Sequence, residues 1–153
     1  MVRGVGVCAL LVLLAGCAKE PVTIEHTNPS ADDTARCEAL VDSLPDTLGD
    51  QDRRLVSPAA ALGAGWGDPP IVLTCGGDWP IPAGASCQEV DSVGWYVPES
   101  AFDDQSADVV MTSIGFEPTV QVVLPADYRP PAAVMVGLAP AITKTLKPTT
   151  PCS

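Results

Sequence analysis

Positively charged residues and histidine are scarce in this sequence. Its 153 residues include 8 lysines and arginines against 19 aspartates and glutamates, which gives a formal net charge of −11 at pH 7. Such a chain repels phosphate groups and has few cations to neutralise them, so we expect no nucleic-acid partner. The single histidine, His26, lies in a polar stretch near the N-terminus. A catalytic triad built on a histidine in a pocket is therefore not predicted.

Sequence motifs for nucleotides and metals are also missing. No G-x-S-x-G or P-loop pattern occurs. The glycine-rich segment from Gly63 to Gly67 precedes a predicted strand instead of following one, so it is predicted to be a turn and not a dinucleotide site. No two cysteines have the C-x₂₋₄-C spacing of a zinc site. The sequence predicts no cofactor, no metal and no catalytic residue.

The N-terminal hydrophobic run is short. It extends over ten residues from Val5 to Leu14, about half of the ~20 that a transmembrane helix needs. This length is typical of the apolar region of a signal peptide. The sequence Leu14-Ala15-Gly16-Cys17 follows and resembles the lipobox of bacterial lipoproteins. We predict a lipoprotein signal peptide over 1–16 and a lipidated Cys17. The alternative is an ordinary secretory signal that happens to contain a cysteine.

These features predict an exported protein whose partner is the membrane, anchored through Cys17 to the outer face of the bacterial cytoplasmic membrane. Loss of Arg3 with the signal peptide leaves 7 basic and 19 acidic residues, so the mature chain carries −12. Residues 17–31 are polar, contain Pro21 and Pro29 and lack an apolar period, which predicts a flexible tether. Because anionic headgroups repel an acidic domain, we expect the body to stand away from the membrane.

Four further cysteines predict two disulfides, since an even number in an exported chain is typical of a disulfide framework. Three pairings are possible. Cys75 and Cys87 bracket a turn-rich segment between two strand-like runs, which favours a bridge that closes a hairpin. Cys37 would then pair with Cys152.

Residues 32–153 are predicted to form one globular domain. Capping side chains at residues 30–33 precede an amphipathic helix that Pro45 ends near Leu44. A second helix is predicted after Pro130, and Pro140 should kink or split it. Between the helices, β-branched runs predict strands at 70–75, 87–90, 93–97, 108–114 and 119–124. The fold class is therefore α+β: a single antiparallel sheet of four to five strands, with an N-terminal and a C-terminal helix, held by disulfides.

Two clusters are candidate sites. Trp79, Pro80 and Ile81 lie between Cys75 and Cys87, where a loop closed by a disulfide could present them to a partner or fold Trp79 back over a sheet edge. Asp103, Asp104 and Asp108 could bind a hard cation or act as acid and base. Their spacing misses the EF-hand pattern, and such residues are more often a solvated loop.

The chain from Cys37 onwards resembles a family of small exported bacterial proteins, catalogued as a domain of unknown function (family 3515) and typical of high-G+C Gram-positive bacteria. The residues that carry the resemblance are the Cys37-x-x-Leu40-x₃-Leu44-Pro45 motif, Arg53-Arg54, the block from Gly65 to Gly76, Cys87, Val90-x-x-Val93-x-Trp95 and Gly115-x-x-Pro118-x-Val120-x-Val122. The family usually has a basic residue at the position of Thr74 and a valine at that of Gly77. The resemblance implies export and a single fold, and it brings no known activity.

From the residues themselves we expect an envelope lipoprotein that binds other envelope proteins or cell-wall material without catalysis. The alternative is a carboxylate-dependent hydrolase or a cation-dependent binder of cell-wall saccharides. Two acidic groups that face each other across a pocket would favour the alternative.

Overall fold

The computed structural model describes residues 19–152. The predicted signal peptide and Cys17 lie outside this range. Twelve strands occur within it, in chain order β1 (Val22–Thr23), β2 (Thr47–Leu48), β3 (Gln51–Arg54), β4 (Val56–Ser57), β5 (Gly63–Trp66), β6 (Ile71–Cys75), β7 (Cys87–Val90), β8 (Val93–Tyr96), β9 (Val109–Ile114), β10 (Phe116–Glu117), β11 (Val120–Leu124) and β12 (Lys147–Pro148). The helices are α1 (Ala31–Ser43), α2 (Ser100–Asp103) and α3 (Ala132–Thr145), with a 3₁₀ turn at Ala126–Tyr128.

Eight of the strands form one antiparallel sheet in the order β2-β3-β5-β6-β11-β9-β8-β7. Two small sheets accompany it: β1 pairs in parallel with β4, and β10 pairs antiparallel with β12. The predicted fold class, with a single sheet of four to five strands, was therefore wrong. The five predicted strands correspond to β6, β7, β8, β9 and β11, and the sequence reading missed the β2-β3-β5 side of the sheet.

The missed strands lack the usual β pattern for physical reasons. β3 reads Gln-Asp-Arg-Arg and has no β-branched residue, and β5 reads Gly-Ala-Gly-Trp and was expected to be a turn. In β5 all four residues are buried, because the sheet is covered on both faces at this strand. Glycine inside a strand is typical of a place where another backbone or side chain comes close.

The helices α1 and α3 pack against each other and against one face of the eight-stranded sheet. Ser30 caps α1, as its Oγ accepts a hydrogen bond from the N–H of Asp33 at 3.2 Å. The helix ends at Ser43, with Leu44 as its C-cap before Pro45, as the sequence predicted. The helix α3 continues through Pro140 without being split. The core lies between these helices and the alternate strand residues that face them, and its largest fully buried side chains include Trp66, Trp95, Leu40, Leu73, Met111 and Leu138.

The disulfides join Cys37 to Cys75 and Cys87 to Cys152, each with a Cα–Cα distance of 5.7 Å. The predicted pairs Cys75–Cys87 and Cys37–Cys152 were wrong, because β6 and β7 do not form a hairpin. Three strands lie between them in the sheet. At about 4.8 Å per strand this separation approaches 20 Å, far beyond the ~7 Å that a disulfide can bridge.

The two disulfides fasten different layers of the molecule. Cys75 is fully buried on the helix side of β6, where α1 brings Cys37 onto it. Cys87 pairs with Tyr96, and the Cys87–Cys152 sulfurs lie over Gly94 of β8, on the face away from the helices. The first bridge fastens α1 to the centre of the sheet, and the second fastens the C-terminal segment to its edge strand.

Candidate functional site

The segment that precedes α1 lies on the sheet face opposite the helices. The N–H of Val22 donates to the carbonyl of Leu55 at 2.8 Å, and the N–H of Ile24 donates to that of Ser57 at 3.0 Å. The side chains of Val22 and Ile24 are buried over Gly65 and Gly63, whose missing Cβ atoms leave the space that they occupy. The prediction of a flexible tether over 17–31 is therefore corrected for residues 19–30, which the structure describes as packed against the body.

A cleft of about 550 Å³ opens where this segment enters the fold, and Arg54 is one of the residues that line it. One Nη of Arg54 donates to the carbonyl of Gly67 at 2.8 Å, and the other donates to the carbonyl of Glu20. Asp68 lies 3.9 Å from Arg54, and its second oxygen lies 3.4 Å from Nζ of Lys19. The guanidinium is largely buried, whereas Lys19 and Asp68 are exposed. The opening of the cleft therefore carries solvated charges, and the Arg54 side chain at its base is held by hydrogen bonds.

The same cleft carries the most exposed large hydrophobic side chain of residues 19–152. Leu55 lines it and remains 79% exposed, although its carbonyl is held by Val22. Residues of both charge signs line it, namely Lys19, Arg54, Asp50, Asp52 and Asp68. Arg53 borders it as well, but its guanidinium bonds the carbonyls at the end of α1. The site therefore combines charged groups of both signs with a single apolar projection.

A second, smaller cavity of about 250 Å³ lies on the N-terminal segment near the start of α1. His26 lines it together with Glu25, Glu38 and Thr34. His26 is exposed to solvent, and no group of three or more potential metal ligands occurs in the part of the chain that the structure describes. The structure thus places His26 at the surface, on a cavity that it shares with two carboxylates and a threonine hydroxyl.

The loop with Trp79, Pro80 and Ile81 follows β6 and leads to β7. Trp79 folds back over Gly77, where a Cβ would collide with its ring, so the glycine at this position makes room for the tryptophan. Trp79 and Ile81 are half-buried and Pro80 is exposed. The loop is not closed by its own disulfide. Instead Cys75, at one end, is fastened to α1, and Cys87, at the other, is fastened to the C-terminal segment.

The carboxylates of the acidic loop have local hydrogen-bonding roles. Asp104 accepts from the Oγ of Ser106 at 2.6 Å and from its N–H at 2.9 Å, and Asp108 accepts from the N–H of Ala126 at 3.1 Å. The hydrogen bond from the Ser106 hydroxyl is the main reason why the pKa of Asp104 is lowered. Asp103 is exposed beside them. These contacts fix a loop, and they do not place two carboxylates across a pocket.

Arg129 holds this acidic loop, a role that the sequence did not reveal. Its Nη1 donates to the carbonyls of Asp104 and Ala107 at 3.3 and 3.0 Å, and its Nη2 donates to the carbonyl of Ala101. Arg129 lies more than twenty residues from the loop in sequence. The spacing of residues along the chain therefore does not indicate that its guanidinium binds three carbonyls of that loop. The adjacent Tyr128 accepts from the N–H of Asp68 at 3.1 Å, so the acidic loop and the cleft share one end of the sheet.

Within residues 19–152, every helix falls short of the length and apolar character that crossing a bilayer requires. No curated protein and no solved structure matches the chain. A family model described as "Protein of unknown function (DUF3515)" matches residues 1–151. Since this match covers nearly the whole sequence, the chain belongs to the DUF3515 family.

Proposed function

We propose that the protein is an exported lipoprotein, anchored through Cys17 to the outer face of the bacterial cytoplasmic membrane. Its body is proposed to be a binding module for envelope proteins or cell-wall material. The observation that carries this proposal is the use of the cysteines. Two disulfides account for four of the six, and the other two, Cys8 and Cys17, fall in the N-terminal segment with the lipobox.

The disulfides support export because such bonds persist in oxidising compartments and are rare in the cytosol. Cys37, on α1, and Cys75, on β6, are both fully buried, so the bond between them is part of the core. The lipobox supports the anchor, since a diacylated cysteine with two acyl chains gives stable membrane attachment where one chain would not.

A binding role is supported by the way in which the fold presents its loops. The loop of Trp79, Pro80 and Ile81 runs between two strands of the sheet, and the cysteine at each end of the loop forms a disulfide with another part of the fold. A loop held in this way loses less conformational entropy on binding than a free one. The alternative function, a carboxylate-dependent hydrolase, receives no such support, because Asp104 and Asp108 are engaged with neighbouring N–H groups.

Metabolic labelling tests the anchor directly. Cells that express the full chain are grown with radiolabelled palmitate or glycerol, and the protein is recovered by immunoprecipitation. The label should enter the wild type and the Cys8→Ala control, and it should be lost from Cys17→Ala, which should also leave the membrane fraction. A Cys17→Ala protein that keeps the label, or that remains equally membrane-bound, would contradict the proposal.

A further inference from the structure

We propose that the end of the body that carries the cleft rests on the bilayer, with Leu55 and Phe102 in contact with the lipid interface. This inference depends on the proposed lipidation of Cys17. It differs from the expectation drawn from the sequence, in which an acidic domain stands away from the membrane on a long tether.

The connection between the anchor and the body is short. Only Ala18 separates Cys17 from Lys19, the first residue that the structure describes. Two residues span at most about 7 Å when fully extended. The headgroup layer of one leaflet is about 5–8 Å thick, by the difference between the whole bilayer and its hydrocarbon core. Lys19 must therefore lie at the level of the headgroups or just outside them.

The chain beyond Lys19 is attached to the body at successive residues. Lys19 pairs with Asp68 at 3.4 Å, and the carbonyl of Glu20 accepts from Arg54. Val22 is then buried and bonded to the carbonyl of Leu55. The body cannot move away from the membrane without breaking these contacts. The surface around Lys19 is consequently the surface that faces the bilayer.

Two exposed apolar side chains lie at this same end of the molecule. Leu55 lines the cleft beside Lys19 and is 79% exposed. Phe102, which is 50% exposed, follows Ala101, whose carbonyl is held by Arg129 next to Tyr128 and Asp68. Large exposed apolar side chains are costly in water and are favoured at a membrane interface.

Depth-dependent fluorescence quenching tests the orientation. The full lipidated chain is reconstituted into vesicles of phosphatidylglycerol and phosphatidylcholine, some of them brominated near the ester end of the acyl chains. Leu55→Trp and Phe102→Trp should gain emission that the brominated lipid quenches strongly. Glu89→Trp, an exposed position of β7 that lies beyond the level of Cys75 in the sheet and so at the end away from the cleft, is the matched control and should be quenched no more than the wild type.

The outcomes separate this inference from the proposed function. If mass spectrometry finds no lipid on Cys17, the proposed anchor fails and the orientation fails with it. If the chain is lipidated but Leu55→Trp is quenched no more than Glu89→Trp, only the orientation is overturned. A flexible spacer inserted between Ala18 and Lys19 should reduce the quenching at position 55, and quenching that persists would overturn the role given to the short connection.

Discussion

Arg53 and Arg54 are neighbours in the sequence, yet they act on opposite faces of β3. Successive side chains of a strand point to opposite faces. Arg53 faces the helices, where it donates to the carbonyls of Val41 and Leu44 at the C-terminal end of α1 and lies 6.0 Å from the centroid of the Trp66 ring. Arg54 faces the other side and holds Glu20 and Gly67. One strand thus fastens both the helix layer and the N-terminal segment.

Replacement of Arg54 should loosen the N-terminal segment. Arg54→Ala removes charge-assisted hydrogen bonds to two carbonyls, and bonds of this kind are worth about 1.5–3 kcal/mol in favourable cases. We expect a loss of roughly 1–3 kcal/mol in the free energy of unfolding, measured by urea denaturation. The control is Arg36→Ala, since Arg36 makes no side-chain hydrogen bond within residues 19–152 and should change stability by no more than about 0.5 kcal/mol. Equal effects of the two substitutions would refute the role of Arg54.

The titration of Asp104 offers a second test at the scale of a residue. Its pKa is lowered from the ordinary value of 3.8, mainly by the hydroxyl of Ser106 and then by the N–H of the same residue. Because the folded pKa is lowered, the stabilising contribution is present above the ordinary pKa and is lost as the pH falls through the folded value. Ser106→Ala should therefore raise the pKa of Asp104 towards 3.8, as followed by carboxyl-carbon NMR. Ser100→Ala should leave it unchanged, and a shift of equal size in both variants would contradict the assignment.

The N-terminal segment packs on β5, and the glycines of β5 leave the space that its buried side chains fill. Gly65 has no side chain, and a Cβ there would lie 2.9 Å from three carbon atoms of Val22. Val22 in turn belongs to β1, which pairs in parallel with β4. The polar composition of residues 17–31 hid this strand, because among residues 19–31 only Val22 and Ile24 are buried. The glycines of β5 are the one local signal that could have suggested a covering segment.

A double-mutant cycle tests this packing. Gly65→Ala should destabilise the fold by roughly 1–3 kcal/mol, because the new methyl group collides with a well-packed side chain. Val22→Ala removes two of the three colliding carbon atoms and keeps the Cβ, so the two changes together should cost less than their sum, with a coupling of about 0.5–3 kcal/mol. Thermal or urea denaturation of the four proteins measures the coupling. Strictly additive effects would show that Val22 does not cover Gly65.

Local signals were sufficient where the chain follows strong patterns. The strands at 70–75, 87–90 and 93–97 were predicted correctly because β-branching is a local signal. Asp91 and Ser92, which connect β7 to β8, have positive φ values of 46° and 68°, as a tight hairpin turn requires. The disulfide pairing was not local. It depends on the strand order, in which β11, β9 and β8 lie between the strands that carry Cys75 and Cys87. The distances between the cysteines in the sequence do not indicate this strand order.

At the scale of the whole molecule, the two disulfides should stabilise the fold to a similar extent by restricting the unfolded chain. They should differ in how much buried packing is lost when they are removed. Their sequence separations are 38 and 65, and the chain-entropy model assigns each about 4 kcal/mol. Cys37 and Cys75 are also fully buried, so Cys37→Ala with Cys75→Ala should cost more than Cys87→Ala with Cys152→Ala. Urea denaturation measures both, and non-reducing peptide mapping should recover Cys37 with Cys75. A peptide that joins Cys75 to Cys87 would refute the topology.

The sheet gives the molecule two ends with different surroundings. β6 begins at Ile71, next to the cleft of Asp68 and Gly67, and ends at Cys75, where the loop of Trp79 departs. Its five residues span roughly 13 Å at 3.3 Å per step. If the cleft faces the bilayer, the Trp79 loop faces the cell wall. The sequence singled out this loop, but it could not locate the cleft, because Arg54, Asp68 and Lys19 meet only through tertiary contacts.

The loop of Trp79, Pro80 and Ile81 should therefore be the part of the protein that meets envelope partners. A photo-cross-linking amino acid at the exposed Pro80 should yield adducts with envelope proteins or wall material in intact cells. The same reagent at Leu55 should yield lipid adducts instead, because that residue faces the bilayer in the proposed orientation. Trp79→Ala should abolish the adducts at position 80 if the ring orders the contact through Gly77. Adducts at position 80 that survive a destabilising Trp79→Ala would reduce Trp79 to a cap over the sheet. Identical adducts from positions 80 and 55 would remove the loop as a binding surface.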